Sequence, residues 1–226
     1  ALRDVAVELT TAPWPLRREG AIVAVLTAAG DLLDEDQADA AASRIIRLIE
    51  DDGPDREFAG GWTNRWSEVD QALSELLSAA TARTHEAVAA LIVEHFQESE
   101  LEAMSVVRIA DHLELGALSD TTLEGLTDVA RRRDDQYGRD LLATLGKHYE
   151  PARDILNSYA RQGRTGASRD LLASGASDKS TWAALGRELR PKVDGMIEDA
   201  SAGRYVSGND LLLDLGDDRR LGVGLE

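Results

Sequence analysis

LLDEDQADAAASRIIRLIEDDG, residues 32–53, is the stretch on which the reading of this chain turns. An acidic turn, Asp34-Glu35-Asp36, leads into a two-sided segment whose apolar positions are Ala38, Ala41, Ala42, Ile45, Ile46 and Ile49. They recur at i, i+3, i+4, i+7, i+8 and i+11, the period of a helix that buries one stripe. Asp34 and Gln37 stand at capping-box spacing, where each side chain satisfies the other residue's backbone N–H. The acidic turn also suits the positive end of the helix dipole.

Similar units surround this one. Before it, Leu2, Val5, Ala6 and Leu9 predict a short helix, ended by the break at Thr10 to Pro13. Pro15 then sits where a first helical turn tolerates proline, and Leu16, Val23, Leu26 and Leu33 form the next stripe. After it, Val69 to Ala80 and Val88 to Phe96 predict a second helix pair. A third begins at Ser99 and Glu102, turns at Gly116, and resumes at Thr121 and Glu124, both pairs at capping-box spacing. Residues 14–162 show no period-2 alternation, so strands are not expected there. Beyond Gly138 the pattern loosens. Leu141, Leu142 and Leu145 begin a helix, Pro151 kinks it or starts another, and 163–180 promises only a short helical turn. Trp182 to Ala200 gives a last helix with Pro191 a kink, and 205–226 reads as a short hairpin or a frayed end.

Helix pairs joined by polar turns resemble HEAT and armadillo-type repeats over residues 14–133, with residues 32–53 the closest match. First helices begin near 16, 67 and 100 and second helices near 37, 84 and 121, against a family period of about 40–47 residues. The resemblance implies a scaffold that binds macromolecules along a curved face, with no shared catalytic residues. The expected fold is all-α: an irregular, HEAT-like α-solenoid array of antiparallel helix pairs with a less regular C-terminal part. A helical-repeat-like domain is expected over 1–162. Residues 163–226 then supply a Gly/Ser-rich connection, one helix and an irregular tail packed on the same domain.

Composition narrows the chemistry. With no cysteine, disulfides, thiolate zinc sites and cysteine nucleophiles are ruled out. No apolar run approaches about 18 residues, so no membrane span is expected. Arginine outnumbers lysine 22 to 3, a codon signature of a GC-rich, bacterial genome. The chain opens on Ala1 with no signal-peptide pattern; a cytoplasmic location is expected, as part of a larger bacterial protein. The net charge of −17 disfavours nucleic acid, yet residues 131–192 carry 13 basic and 8 acidic side chains.

Catalytic motifs fail on inspection. His85-Glu86 opens like a zinc-protease HExxH, but Ala89 stands where the second ligand belongs. Residues 174–181, SGASDKST, lack the glycines of a phosphate loop and put Asp178 beside the would-be phosphate. The acidic set Asp34, Glu35, Asp36 and Asp39 lacks EF-hand spacing. No metal, cofactor or catalytic residue is expected, although scattered carboxylates leave a helical hydrolase open. Two features stand out as partner-binding candidates. One is the loop 51–66, where Phe58, Trp62 and Trp66 gather three of the chain's ten aromatic residues. Its alternative is a lid over adjacent helices. The other is the arginine set Arg131, Arg132, Arg133 and Arg139, continued by Arg153, Arg161, Arg164 and Arg169, whose alternative is neutralisation by neighbouring aspartates. The expected function is a non-enzymatic scaffold that binds another protein; the alternative is a HEAT-like nucleic-acid-binding or base-repair protein using 131–192.

Overall fold

The structure is a computed structural model and describes residues 2–11, 19–50, 65–96, 100–164, 166–175 and 179–204. Every regular element among them is helical. The helices are α1 (Leu2–Thr11), α2 (Glu19–Ala29), α3 (Glu35–Glu50), α4 (Arg65–Leu77), α5 (Ala82–His95), α6 (Glu100–Ala110), α7 (Asp120–Arg132), α8 (Gln136–Gly146), α9 (Glu150–Arg161), α10 (Ala167–Ala173) and α11 (Lys179–Ser201). The fold is therefore all-α. Phe58, Trp62, the start of the third pair at Ser99 and the tail 205–226 lie outside the described residues.

The chain divides into two compact units, 1–129 and 130–226. In the second unit α8 and α9 lie on each other and on α10, and α9 also meets α11.

In the first unit the described stripe residues of α3 to α7 are mostly buried, whereas on α1 Ala6 is buried and Leu2 and Val5 are exposed. Leu26, Ile45, Leu73, Leu76, Ile92, Ile109 and Leu126 are sealed from solvent. Helix α1 lies on α2 and α3, α2 on α4, α3 on α4 and α5, and α4 on α6. At Gly125 of α7 an added Cβ would stand 3.3 Å from Val93 of α5, which places those helices side by side. The Asp34–Gln37 box forms: Gln37 N–H donates to Asp34 Oδ1 at 3.0 Å and Asp34 N–H to Gln37 Oε1 at 3.2 Å. At α7 the cap is Ser119 rather than Thr121. Its Oγ accepts from Thr122 N–H at 3.2 Å, because the turn at Leu115–Ala117 lets the helix begin two residues earlier.

In the second unit Leu141, Leu142, Leu145, Leu156, Leu171 and Leu185 form the core. Asp135 caps α8, accepting from Gly138 N–H at 2.9 Å, so this helix starts ahead of the leucine stripe. Pro151 occupies the first turn of α9, where a missing N–H is harmless, and Pro191 lies inside α11. Gly138 is required by packing: a Cβ there would sit 2.0 Å from the Arg133 carbonyl oxygen and 2.5 Å from that of Ala130.

Candidate functional site

The arginine-bearing region is built at the end of α7 and the end of α9. Arg131 and Arg132 occupy the last turn of α7, where the negative end of the dipole favours cations, and both are exposed. The two arginines next in the expected set have partners inside the unit. Arg133 Nε lies 2.9 Å from Asp135 Oδ2, with its guanidinium 5.6 Å from the Tyr137 ring centre. Arg139 Nε donates to Asp170 Oδ2 at 3.0 Å.

Arg131 opens onto a shallow hollow of about 430 Å³, lined also by Asp134, Ile155, Ser158, Tyr159 and Arg164. Its geometry follows from one glycine. Gly163 adopts φ +70°, and the chain reverses with Gly163 N–H donating to Ala160 O and Arg164 N–H to Tyr159 O, both at 3.1 Å. That is the usual left-handed helix stop, and only glycine takes it without a steric penalty. The reversal lays the Arg164 guanidinium over the Tyr159 ring at 4.0 Å and against the Asp134 carboxylate. The site thus holds two cationic heads, a ring face, a hydroxyl and an aliphatic wall. Asp134 is well exposed, so an incoming anion competes for Arg164 against a solvated partner rather than a buried one.

Asp170, 2% exposed, is the most buried carboxylate of this unit's arginine network. It accepts from Arg139 on one oxygen and from Arg169 on the other, the latter at 3.0 and 3.2 Å. Burial pushes its carboxyl above the usual value, against the pull of Arg169 and Arg139. Gly166, at φ +80°, stands beside this cluster and its N–H is taken by the Glu188 carboxylate. These contacts join α8, α10 and α11. Nothing in the sequence marks Asp170 out, because its partners come from positions 31 residues away and next door.

The failed HExxH start has a different use. His85, 3% exposed, accepts the Glu114 N–H on Nδ1 at 3.1 Å, while the carbonyls of Leu77 and Ala80 also favour a ring N–H. Burial holds its pKa below the usual histidine value, so the imidazole is neutral near pH 7. Glu86 turns to the start of α7, where its carboxylate accepts Ser119 N–H at 3.1 Å, Ser119 Oγ at 2.6 Å and the Thr122 hydroxyl. Asp39 of α3 does the same for α5, accepting Thr81 N–H at 2.9 Å and Thr81 Oγ1 at 2.6 Å. Each carboxylate is the fifth residue of its helix, and each holds the N-cap residue of the next second helix. The signal was present in the sequence: Asp39, Glu86 and Glu124 each lie five residues past Asp34, Thr81 and Ser119.

Of Trp66 the structure describes only the backbone, in the first turn of α4. Among the described residues no cluster of three or more His, Asp or Glu could hold a metal, and no helix is long and apolar enough to cross a membrane. Comparison with known protein families, curated proteins and solved structures finds no match to this chain.

Proposed function

We propose that this chain is a non-enzymatic helical scaffold, a protein–protein interaction module whose residues 19–132 stack as HEAT-like helix pairs. The observation that carries this reading is the repeated carboxylate joint, Asp39 to Thr81 and Glu86 to Ser119, at the same helical position in successive units. A bond that recurs in register is what a repeat array produces, because each unit contacts its neighbour in the same way. The contacts of α2 with α4, α4 with α6 and α3 with α5 fit the same pattern.

Binding in this reading uses the aromatic segment with Phe58 and Trp62, continued by Trp66 in the first turn of α4, and separately the hollow at Arg131 with exposed Arg132 beside it. The hollow suits an acidic group of a partner protein. The nucleic-acid alternative is weakened by charge pairing, since Arg133, Arg139, Arg164, Arg169 and Arg190 each face an aspartate.

The test is affinity capture from the source cell with quantitative mass spectrometry, using the wild type, Trp62→Ala and Arg131→Glu. Specific partners should fall at least about tenfold in each variant while the melting temperature stays within a degree or so. Undiminished capture with a lowered melting temperature makes both residues structural and overturns the binding assignment.

A further inference from the structure

The donors around the hollow at Arg131 converge from separate segments of the second unit. Arg131 comes from the last turn of α7, Ser158 from α9, and Arg164 from the turn after Gly163. Among the described residues Arg131 has no ion pair or hydrogen bond, so its whole guanidinium edge is open to a ligand. Ser158 Oγ accepts from Gln162 Nε2 at 3.0 Å, which leaves its own O–H to donate. Arg164 is oriented before any ligand arrives, because its guanidinium lies over the Tyr159 ring at 4.0 Å and turns Nη1 to Asp134. A cation held in this way loses little rotamer freedom on binding.

Separate donors around one hollow match a ligand whose acceptor oxygens point apart. A phosphomonoester has that shape and a charge of about −2. A carboxylate has both oxygens in one plane, and a single guanidinium fork satisfies it. The carbonyl ends of α7 and α9 each set about half a negative charge against an anion. Arg132 offsets the first, and the Gly163 and Arg164 N–H groups, which donate to Ala160 and Tyr159, offset the second. Displacing Asp134 from Arg164 costs little, since its side chain is 69% exposed and stays hydrated. The hollow is also shallow, whereas sites for free small molecules enclose most of the ligand. Its wall at Ile155 suits the aliphatic stem of a side chain presented by another protein. A nucleic acid would bring a phosphate at every step towards a chain of net charge −17; one phosphorylated side chain meets that repulsion once.

We infer that the hollow is a phosphate-binding site for a phosphorylated serine or threonine side chain of a partner protein. The partner rests on the scaffold reading above; the phosphate rests on the donors alone. Arg131 and Arg164 take separate oxygens, Ser158 donates to a third, and Asp134 turns out into solvent.

The test is an NMR titration of the 226-residue chain with N-acetyl-phosphoserine N-methylamide, read at the Nε–H signals of Arg131 and Arg164, beside the same titration with capped glutamate. Both signals should move with phosphoserine, at an affinity at least about tenfold above that for glutamate. Arg131→Ala and Arg164→Ala should each weaken binding about tenfold, with the helical circular dichroism unchanged. Asp134→Asn should strengthen it about threefold by releasing Arg164. Equal affinity for the two capped residues overturns the inference, as do shifts that survive both arginine variants or an unmodified single-stranded oligonucleotide that competes equally well. Phosphatase treatment of the lysate before affinity capture separates this inference from the reading beneath it. Loss of the Arg131-dependent partners supports it, whereas capture indifferent to the phosphatase overturns it and leaves the scaffold reading standing. Phosphoserine binding with no captured partner supports the phosphate site and overturns the scaffold reading instead.

Discussion

The two units of this chain differ in their clearest polar contacts, although each also buries a carboxylate, Asp70 in the first and Asp140 and Asp170 in the second. In residues 1–129 the carboxylates of Asp39 and Glu86 lie near the surface and tie one helix to the start of another. In residues 130–226 one carboxylate, Asp170, is sunk among α8, α10 and α11 with two guanidinium groups closed over it. Exposed joints can be lost singly at small cost, because water replaces the missing partner. A buried charge cannot be left alone, since no solvent reaches it. The joints spread stability over repeated small bonds, and the Asp170 cluster concentrates it at one place.

The sharpest way to break this contrast is Arg139→Met. It leaves Asp170 with Arg169 alone and should destabilise the second unit by about 3 kcal/mol in denaturant titration. A loss under about 0.5 kcal/mol would show that the guanidinium is dispensable to the fold and available to a partner. Next in size is Gly138→Ala, whose Cβ meets two backbone oxygens that cannot move independently of α7. A loss of about 2 kcal/mol is expected, measured beside Gly116→Ala in the first unit, where nothing lies within 4 Å and little should change.

The joints should respond more mildly. Glu86→Ala and Asp39→Ala should each cost about 1 kcal/mol, the value of an N-cap oxygen. Both groups also carry a pH signature. The Ser119 and Thr122 hydroxyls hold the Glu86 carboxyl below its usual value. Burial works to raise Asp39, and the Thr81 hydroxyl and amide, with Thr84 and Arg83, outweigh it and leave it lowered. Carboxyls lowered in the folded state add stability above about pH 4.3, and it drains as pH falls through their folded values. Glu86→Gln should therefore flatten the acid limb of the stability curve; an unchanged limb argues that the joint is not ionised.

The smallest expected effect belongs to His85. Its folded pKa is lowered, so its contribution is complete above about pH 6.5 and is lost on acidification. Protonation would also set a ring N–H against the Glu114 N–H that Nδ1 now accepts. Stability should fall between pH 7 and 5.5 in the wild type and less in His85→Phe, followed by thermal melts across that range.

How far these features were legible differs along the chain. Most helices of the first unit could be read because each has one buried stripe, and a stripe repeats at the helical period whatever it packs against. The joints between them were harder to see. Their spacing was present, but only a structure shows that Asp39 reaches Thr81 of a different helix rather than its own cap. In the second unit Gly163 announced a turn, yet it could not announce that Arg164 would return over Tyr159. The aspartates that neutralise Arg133 and Arg169 are neighbours in sequence; for Arg164 and Arg139 the partners, Asp134 and Asp170, are 30 and 31 residues distant.

By itself, then, the sequence determined the all-α character, the positions of most helices and the Asp34–Gln37 cap. These depend on local periodicity and on side chains within one turn of each other. Tertiary structure alone decided that the chain divides after Val129, that His85 is a buried acceptor, and that Asp170 draws Arg139 inward. Those outcomes depend on which helices meet, and contacts between residues far apart in sequence leave no period to read.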